Sequence, residues 1–226
     1  MKGLVMAISV ALALVLPCQM AMAGEWELDD ALKQIDKATK GVKGLTGRVM
    51  VAETRDGEAA AELPGGVAVR LDGRIRFDIK GDSPETYLGL PGRLFIHTPS
   101  VNKVVEYPTR KHPDRLAQYA IVGFEPSGTG LLKDFLVSLL EETELGSSST
   151  LLLELTPKDP KLRESIHKIH LWIDQASWFP LQQRIFHAGA ETHLTVRYSG
   201  LSRNDGIENS LFAVKWPKGT IKEKAK

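Results

Sequence analysis

The chain has 226 residues, of which 42% are hydrophobic and 25% are charged. This composition is typical of a soluble globular protein, and the length suits one domain of about 200 residues or two small ones. The formal net charge is only +1, so the sequence lacks the basic excess that favours binding to nucleic acid or to an anionic membrane surface.

The first 23 residues have the pattern of a secretory signal peptide. Lys2 precedes an apolar run that is too short to span a bilayer comfortably, and Ala21–Ala23 (AMA) form a small-x-small cleavage site. We therefore expect the protein to be exported, with a mature chain that begins at Gly24. An uncleaved membrane anchor is the alternative.

The chain contains a single cysteine, Cys18, which lies inside this leader. Cleavage after Ala23 would leave a mature protein with no thiol, no disulfide and no cysteine nucleophile. Cys18 could instead be the anchor of a bacterial lipoprotein, but the bulky Pro17 before it suits that processing poorly. We expect a freely soluble exported protein.

An amphipathic helix is predicted to open the mature chain. Acidic residues lie early in it and lysines late, as the helix dipole favours, and Gly41 and Gly44 end it. One helical face carries Leu28, Ala31, Leu32, Ile35 and Ala38.

After Thr46 the hydrophobic period changes to two residues, which predicts β-strands. The runs are GRVMVAET, GGVAVRLD, GRIRFDIK, GRLFIHT and NKVVEYP, and they are separated by Gly, Pro, Asp and Asn. Asp72-Gly73 lies between two alternating runs and gives the strongest short-range hairpin signal in the chain.

A helical insertion is predicted in the middle of the chain. HPDRLAQYAIVGF is typical of a short helix, and GTGLLKDFLVSLLEE of a longer one with a wide apolar face. That face comprises Leu131, Leu132, Phe135, Leu136, Leu139 and Leu140. Four more strands are predicted at TLLLELTP, SIHKIHLWID, LQQRIFHA and THLTVRYSG, before a lysine-rich tail at residues 221–226 that we expect to be solvated.

These elements predict a mostly β (α+β) single domain. The connections between neighbouring strands are too short for parallel crossovers, so we expect one large curved antiparallel sheet that forms an incomplete β-barrel. The amino-terminal helix and a central helical lid would cover its concave apolar face. A β-sandwich or a closed barrel is the alternative.

No catalytic or metal-binding pattern is evident. His167 and His170 are three residues apart on a predicted strand, so their side chains would lie on opposite faces and could not share a metal ion. Ser147–Ser149 lack a nucleophile elbow, and GTGLLKD lacks the spacing of a phosphate-binding loop. We expect no enzymatic activity, no metal and no cofactor, with a hydrolase of dispersed catalytic residues as a remote alternative.

The strand alternation divides the predicted sheet into a dry face and a wet face. The dry face is in part a folding core, but two or three short helices are scant cover for it, and uncovered apolar surface is costly unless a ligand fills it. We therefore predict a lipid-binding cavity. Its strand residues would be Val67, Val69, Leu71, Ile75, Phe77, Ile79, Leu94, Ile96, Leu151, Leu153, Leu155, Ile169, Leu171, Ile173, Leu194 and Val196, and its helical residues Leu132, Phe135, Leu136 and Leu139.

The order of motifs over residues 24–220 resembles that of the periplasmic outer-membrane lipoprotein carriers, the LolA-like proteins. The most specific motifs are the strand end LELTPK, the strand IHLWID with its turn to PLQQRI, and the closing LFAVKWPKG. Each motif is weak alone, and the resemblance rests on their order and spacing.

This resemblance implies a monomeric, soluble periplasmic carrier with a helical lid over an apolar cavity. Such a carrier takes the acyl chains of a lipoprotein from an inner-membrane release complex and delivers them to an outer-membrane receptor. The family's Arg-Pro pair, whose arginine latches the lid, is replaced here by Leu71-Asp72 in RLDGR. Arg70 and Arg74 fall on the wet face, so the latch is not carried over. An envelope sensor, or a carrier of another lipid, is the alternative function.

Overall fold

The computed structural model describes residues 26–112, 115, 127–189, 191–204 and 206–226. The helices in these residues are α1 (Leu28–Thr39), α2 (Leu131–Asp134) and α3 (Pro160–Arg163). The strands are β1 (Gly44–Arg55), β2 (Glu58–Ala59), β3 (Leu63–Arg70), β4 (Arg74–Ile79), β5 (Glu85–Leu90), β6 (Arg93–Thr98), β7 (Lys103–Pro108), β8 (Phe135–Leu145), β9 (Ser148–Pro157), β10 (Ile166–Asp174), β11 (Pro180–His187), β12 (Thr192–Arg203) and β13 (Ile221–Lys224).

The described strands form one open sheet. Its order is β13-β7-β6-β5-β4-β3-β1-β12-β11-β10-β9-β8, with β2 paired to β1, so β13 and β8 are its two ends. The pairing is antiparallel except between β13 and β7, where a long connection allows the parallel direction. The predicted mostly β, incomplete-barrel architecture is confirmed.

Helix α1 lies where the sequence predicts it. Asp29 and Asp30 occupy its first turn and Lys37 its last, which is the charge order that the helix dipole favours. Gly41 follows with a φ of +76°, a backbone conformation that glycine adopts without strain. The buried face carries Leu32 and Ile35, which pack against side chains of β9, β10 and β11.

The predicted hairpin at Asp72-Gly73 is also present. Arg70 pairs with Arg74 across it, and Gly73 has a φ of +88° while its N–H donates to the carbonyl oxygen of Arg70 at 3.1 Å. Both arginines contact the side chain of Asn209. They lie on the convex side of the sheet, in agreement with their predicted position on the wet face.

The helix predicted from GTGLLKDFLVSLLEE is wrong beyond its first turn. Only Leu131–Asp134 are helical, and Phe135–Leu145 form the edge strand β8, paired antiparallel with β9. A leucine-rich run satisfies helical and strand periodicity alike, and pairing with the equally apolar β9 decides between them. Gly146, at a φ of +64°, closes the hairpin between β8 and β9.

Two of the predicted segments lie wholly or mostly outside the described residues. These are the leader, and HPDRLAQYAIVGF apart from His112 and Arg115.

The lysine-rich tail contributes β13, whose side chains are exposed while its backbone pairs with β7. None of the described helices is long and apolar enough to cross a bilayer.

The convex face of the sheet is not uniformly wet, contrary to the prediction. Beneath β3–β7 a second apolar cluster contains Ala68, Leu88, Phe95 and Val104. Residues 206–216 pack on this cluster through Ile207, Phe212 and Trp216. The Arg76 guanidinium donates to the carbonyl oxygen of Leu211 at 3.1 Å. The carboxyl-terminal segment therefore covers this half of the sheet from behind.

Candidate functional site

The predicted cavity residues on β3–β6 share the concave face with residues of β1 and β12. Five of them are buried, namely Val67, Val69, Phe77, Ile79 and Leu94. Leu71, Ile75 and Ile96 pack against the same cluster but are only half-buried. Strand pairing brings all of them except Leu71 together, because each lies on the concave parity of its strand, and Leu71 follows β3 directly.

A row of apolar side chains crosses four neighbouring strands of this face. Phe77 pairs with Tyr87, Tyr87 with Ile96, and Ile96 with Val105. Phe77 and Tyr87 are 3% and 4% exposed, whereas Ile96 and Val105 are half-buried. The row therefore leads from the core of the protein to its surface.

The outer end of the row opens into a pocket of about 310 Å³. Its apolar wall is formed by Tyr87, Ile96, Val105 and Tyr107, and its polar rim by Glu85, Thr98, Lys103 and Arg115. This volume is at the lower end of the range for small-molecule sites. The arrangement can hold an apolar chain segment with a polar group at its end.

Contacts fix the polar rim of the pocket. The Tyr87 hydroxyl donates to the Glu85 carboxylate, and the Thr98 hydroxyl donates to the other oxygen of that carboxylate at 3.3 Å. Lys103 Nζ lies 2.7 Å from the Glu223 carboxylate on β13. The Arg115 guanidinium lies 5.8 Å from the centre of the Tyr107 ring, within reach of a cation–π contact.

A buried phenol on the concave face is neutral. Tyr198 belongs to the same buried cluster as Phe77, and burial raises the pKa of its phenol. The phenol is therefore neutral throughout the physiological pH range. The buried part of this face therefore carries a neutral phenol at Tyr198, whereas Glu85, Lys103 and Arg115 place charges at the rim.

The predicted cavity residues on β9 and β10 have a different environment. All are at most 1% exposed, and all except Leu151 belong to the cluster that Leu32 and Ile35 of α1 cover. The residues of the cluster are Leu153, Leu155, Ile169, Leu171 and Ile173. Leu194 contacts this cluster and the one on β3–β6, while Val196 is buried in the latter. Their role in lining an acyl cavity stays a prediction, because here α1 fills the space.

The four residues assigned to the predicted central helix do not share one face. Leu132 and Leu136 are 38% and 57% exposed, whereas Phe135 and Leu139 are half-buried against the cluster beneath α1. Within β8 the strand conformation separates Leu136 from Phe135 and Leu139, since successive side chains of a strand point to opposite sides, whereas Leu132 lies in α2. Only Phe135 and Leu139 therefore face the apolar interior.

The sequence analysis missed three residues of the apolar wall, Tyr87, Val105 and Tyr107, and the four residues of the polar rim. The runs ETYLGL and KVVEYP are rich in residues that favour strands, and this was the signal that could have found them. In ETYLGL the glycine at position 89 interrupts the apolar parity, which weakens the pattern. No group of three or more potential metal ligands occurs among the described residues.

No protein-family model matches the sequence, and no curated protein is significantly similar to it. Among solved structures, an uncharacterized conserved protein from Thermus thermophilus is similar over 87% of this chain and 98% of its own, with 13% identity and a TM-score of 0.56. This similarity shows a shared fold.

Two further solved structures match with TM-scores below 0.5. The LolA superfamily protein NE2245 from Nitrosomonas europaea has 13% identity, a TM-score of 0.46, and coverage of 83% of this chain and 98% of its own. A putative outer membrane lipoprotein-sorting protein domain from Vibrio parahaemolyticus has 12% identity, a TM-score of 0.49, and coverage of 82% and 97%. At these scores, neither match adds to the evidence from the fold itself.

Proposed function

We propose that this protein is a soluble periplasmic carrier that binds the acyl chains of lipoproteins and moves them toward the outer membrane. The observation that carries the proposal is the apolar row Phe77, Tyr87, Ile96 and Val105, which runs from the buried core to a pocket. The order of sequence motifs that resembles the lipoprotein carriers supports the same conclusion.

The row suits an extended hydrocarbon chain. Each methylene removed from water contributes about 0.8 kcal/mol, and a chain laid across β4–β7 would cover the half-buried side chains of Ile96 and Val105. Glu85, Thr98 and Lys103 stand at the rim, where the ester and amide groups of a lipoprotein's modified terminus would need polar partners.

The proposed activity is binding and release without chemistry, so no enzymatic activity and no cofactor are included. A carrier must also give up its cargo, and the pocket lies near the surface, beside the edge strand β13. By resemblance, the donor would be an inner-membrane release complex and the acceptor an outer-membrane receptor.

Binding of a fluorescent fatty-acyl probe to delipidated protein tests the proposal. We expect Val105→Glu to weaken probe affinity by about tenfold or more, because a carboxylate in the apolar wall loses its hydration when the acyl chain binds. The matched control is Val214→Glu, at a side chain that is 43% exposed outside the pocket, and its affinity should equal that of the unmodified protein.

Equal affinities of the two variants, or no binding of the probe to the unmodified protein, would contradict the proposed site. A synthetic triacylated lipopeptide should compete with the probe. The transport role has a separate test, which is rescue of lipoprotein localisation in a carrier-depleted strain. Probe binding without rescue would favour the envelope sensor or a carrier of another lipid.

A further inference from the structure

The convex face of β9–β12 carries a cluster of cationic and aromatic side chains that the acyl pocket does not use. Glu154 pairs with His170, His170 with Arg184, and Arg184 with Thr195, so these residues form one row across four strands. The neighbouring rows contribute Lys168, Phe186 and His193 on one side and Trp172 on the other. We call these residues the Arg184 patch.

Arg184 has no anionic partner among the described residues. Its Nε atom is buried and makes no hydrogen bond, and its guanidinium carbon lies 5.5 Å from the centre of the Trp172 ring. Arg197, on the same face, contacts Gln182 and Glu62. A half-buried guanidinium without a carboxylate is costly, since its desolvation is not offset by an ion pair.

The acid of the patch, Glu154, is already engaged. Its carboxylate accepts from Lys168 Nζ at 2.7 Å and contacts His170 Nε2 at 2.9 Å. Lys168 Nζ also lies 5.5 Å from the centre of the Phe186 ring. Burial, followed by the positive charge of Arg184 and of His187, lowers the pKa of His193. Positive charge therefore exceeds negative charge across the patch.

The patch is accessible to a partner. The side chains of Lys168 and Glu154 are 30% and 27% exposed, and that of His170 is 16% exposed. The Arg184 guanidinium stacks on the flat ring of Trp172, which fixes its orientation. Trp172 is only 8% exposed, so its ring is not free to insert into a bilayer. A fixed, planar guanidinium is suited to bidentate contact with a carboxylate.

From these observations we infer that the Arg184 patch is a docking surface for an acidic segment of a partner protein, with a carboxylate of that segment bound to the Arg184 guanidinium. The partner would approach the convex side of the sheet, opposite the acyl pocket. Docking and acyl binding therefore use different residues and can be tested independently.

A labelled hexaglutamate peptide serves as the probe, with binding followed by fluorescence anisotropy at low salt. We expect Arg184→Gln to weaken binding by about tenfold, the usual effect of losing charge-assisted hydrogen bonds. The matched control is Arg93→Gln, since Arg93 also stacks on a ring, with 5.4 Å to the centre of Phe95, but lies on the other half of the sheet. That control should bind like the unmodified protein.

Lys168→Gln should weaken binding less than Arg184→Gln, and fatty-acyl probe binding should be unchanged in both variants, which also shows that they fold. Equal losses from Arg184→Gln and Arg93→Gln would overturn the inference, because they would indicate non-specific attraction. So would absence of peptide binding, or binding to phosphatidylglycerol vesicles but not to the peptide, which would indicate a membrane surface as the partner.

Discussion

The two halves of the sheet are covered on opposite faces. On β8–β11, helix α1 packs against the concave face through Leu32 and Ile35. On β3–β7, residues 206–216 pack against the convex face through Ile207, Phe212 and Trp216. Each half thus keeps one face free of these two covering segments.

The two proposed sites lie on the faces that these segments leave free. The acyl pocket lies on the concave face of β5–β7, and the Arg184 patch lies on the convex face of β9–β12. A sheet with both faces covered along its whole width would have no exposed face for binding. Alternating cover buries one face of each half and leaves the other face for the proposed sites.

The largest expected effect comes from placing a charge in the half that α1 covers. Leu153 is 0% exposed beneath that helix, and an unpaired carboxylate there cannot be hydrated. We expect Leu153→Asp to lower the free energy of unfolding by more than about 4 kcal/mol, enough to unfold many domains. Urea denaturation followed by circular dichroism measures it.

The same substitution in the other half should behave differently. Ile96 is half-buried at the pocket, so Ile96→Asp should cost less than about 2 kcal/mol and should instead weaken acyl-probe binding. If Ile96→Asp destabilises the protein as much as Leu153→Asp does, the distinction between a closed half and a binding half is lost.

An intermediate effect is expected from the segment that covers β3–β7 from behind. Phe212 is 4% exposed in the convex cluster, and we expect Phe212→Ala to cost about 3 kcal/mol. Its neighbour Leu211 is 36% exposed, so Leu211→Ala serves as the control and should cost less than about 1 kcal/mol. Similar losses from both, measured by urea denaturation, would show that residues 206–216 contribute little to the core.

Local pattern was sufficient to predict much of this arrangement. Period-two alternation placed Phe77 and Ile79 on the dry face of a strand, and Asp72-Gly73 placed the turn before it. Helical periodicity and charge order likewise placed α1. These features depend on residues close together in the chain.

Features that depend on distant partners were not predictable in this way. The leucines of β8 became a strand because β9 offers backbone pairing and an apolar face. Phe95 lies on the parity taken as wet and Leu88 lies outside the predicted strands, and the burial of both depends on Trp216 and Phe212 more than a hundred residues later. The position of the pocket was unpredictable for the same reason, because strand parity does not show which positions of the dry face α1 covers.

The smallest expected effect is a pH dependence that again separates the two halves. His97 is buried on the convex side of β6, with its ring centre 5.0 Å from that of Trp216 and Thr86 and Val104 beside it on β5 and β7. Burial lowers the pKa of His97 from 6.5, and the positive charge of Arg76 adds a smaller shift in the same direction. A hydrogen bond with Asn102 raises the pKa and offsets part of this shift. Folding therefore favours neutral His97. The free energy of unfolding falls as the pH drops below 6.5, and this loss is complete once the pH is below the lower pKa of the folded state.

In the other half, Glu154 contributes stability that is lost only at a lower pH, below 4.5, because Lys168 and then His170 lower the pKa of its carboxyl group from 4.5. Between pH 7 and pH 5, urea denaturation should show a shallower loss of stability for His97→Gln than for the unmodified protein. His193 gives a slope of the same sign, so part of the loss should persist in His97→Gln. An unaltered slope in His97→Gln would mean that His97 is hydrated, and hence that the carboxyl-terminal segment does not seal the convex face of β3–β7.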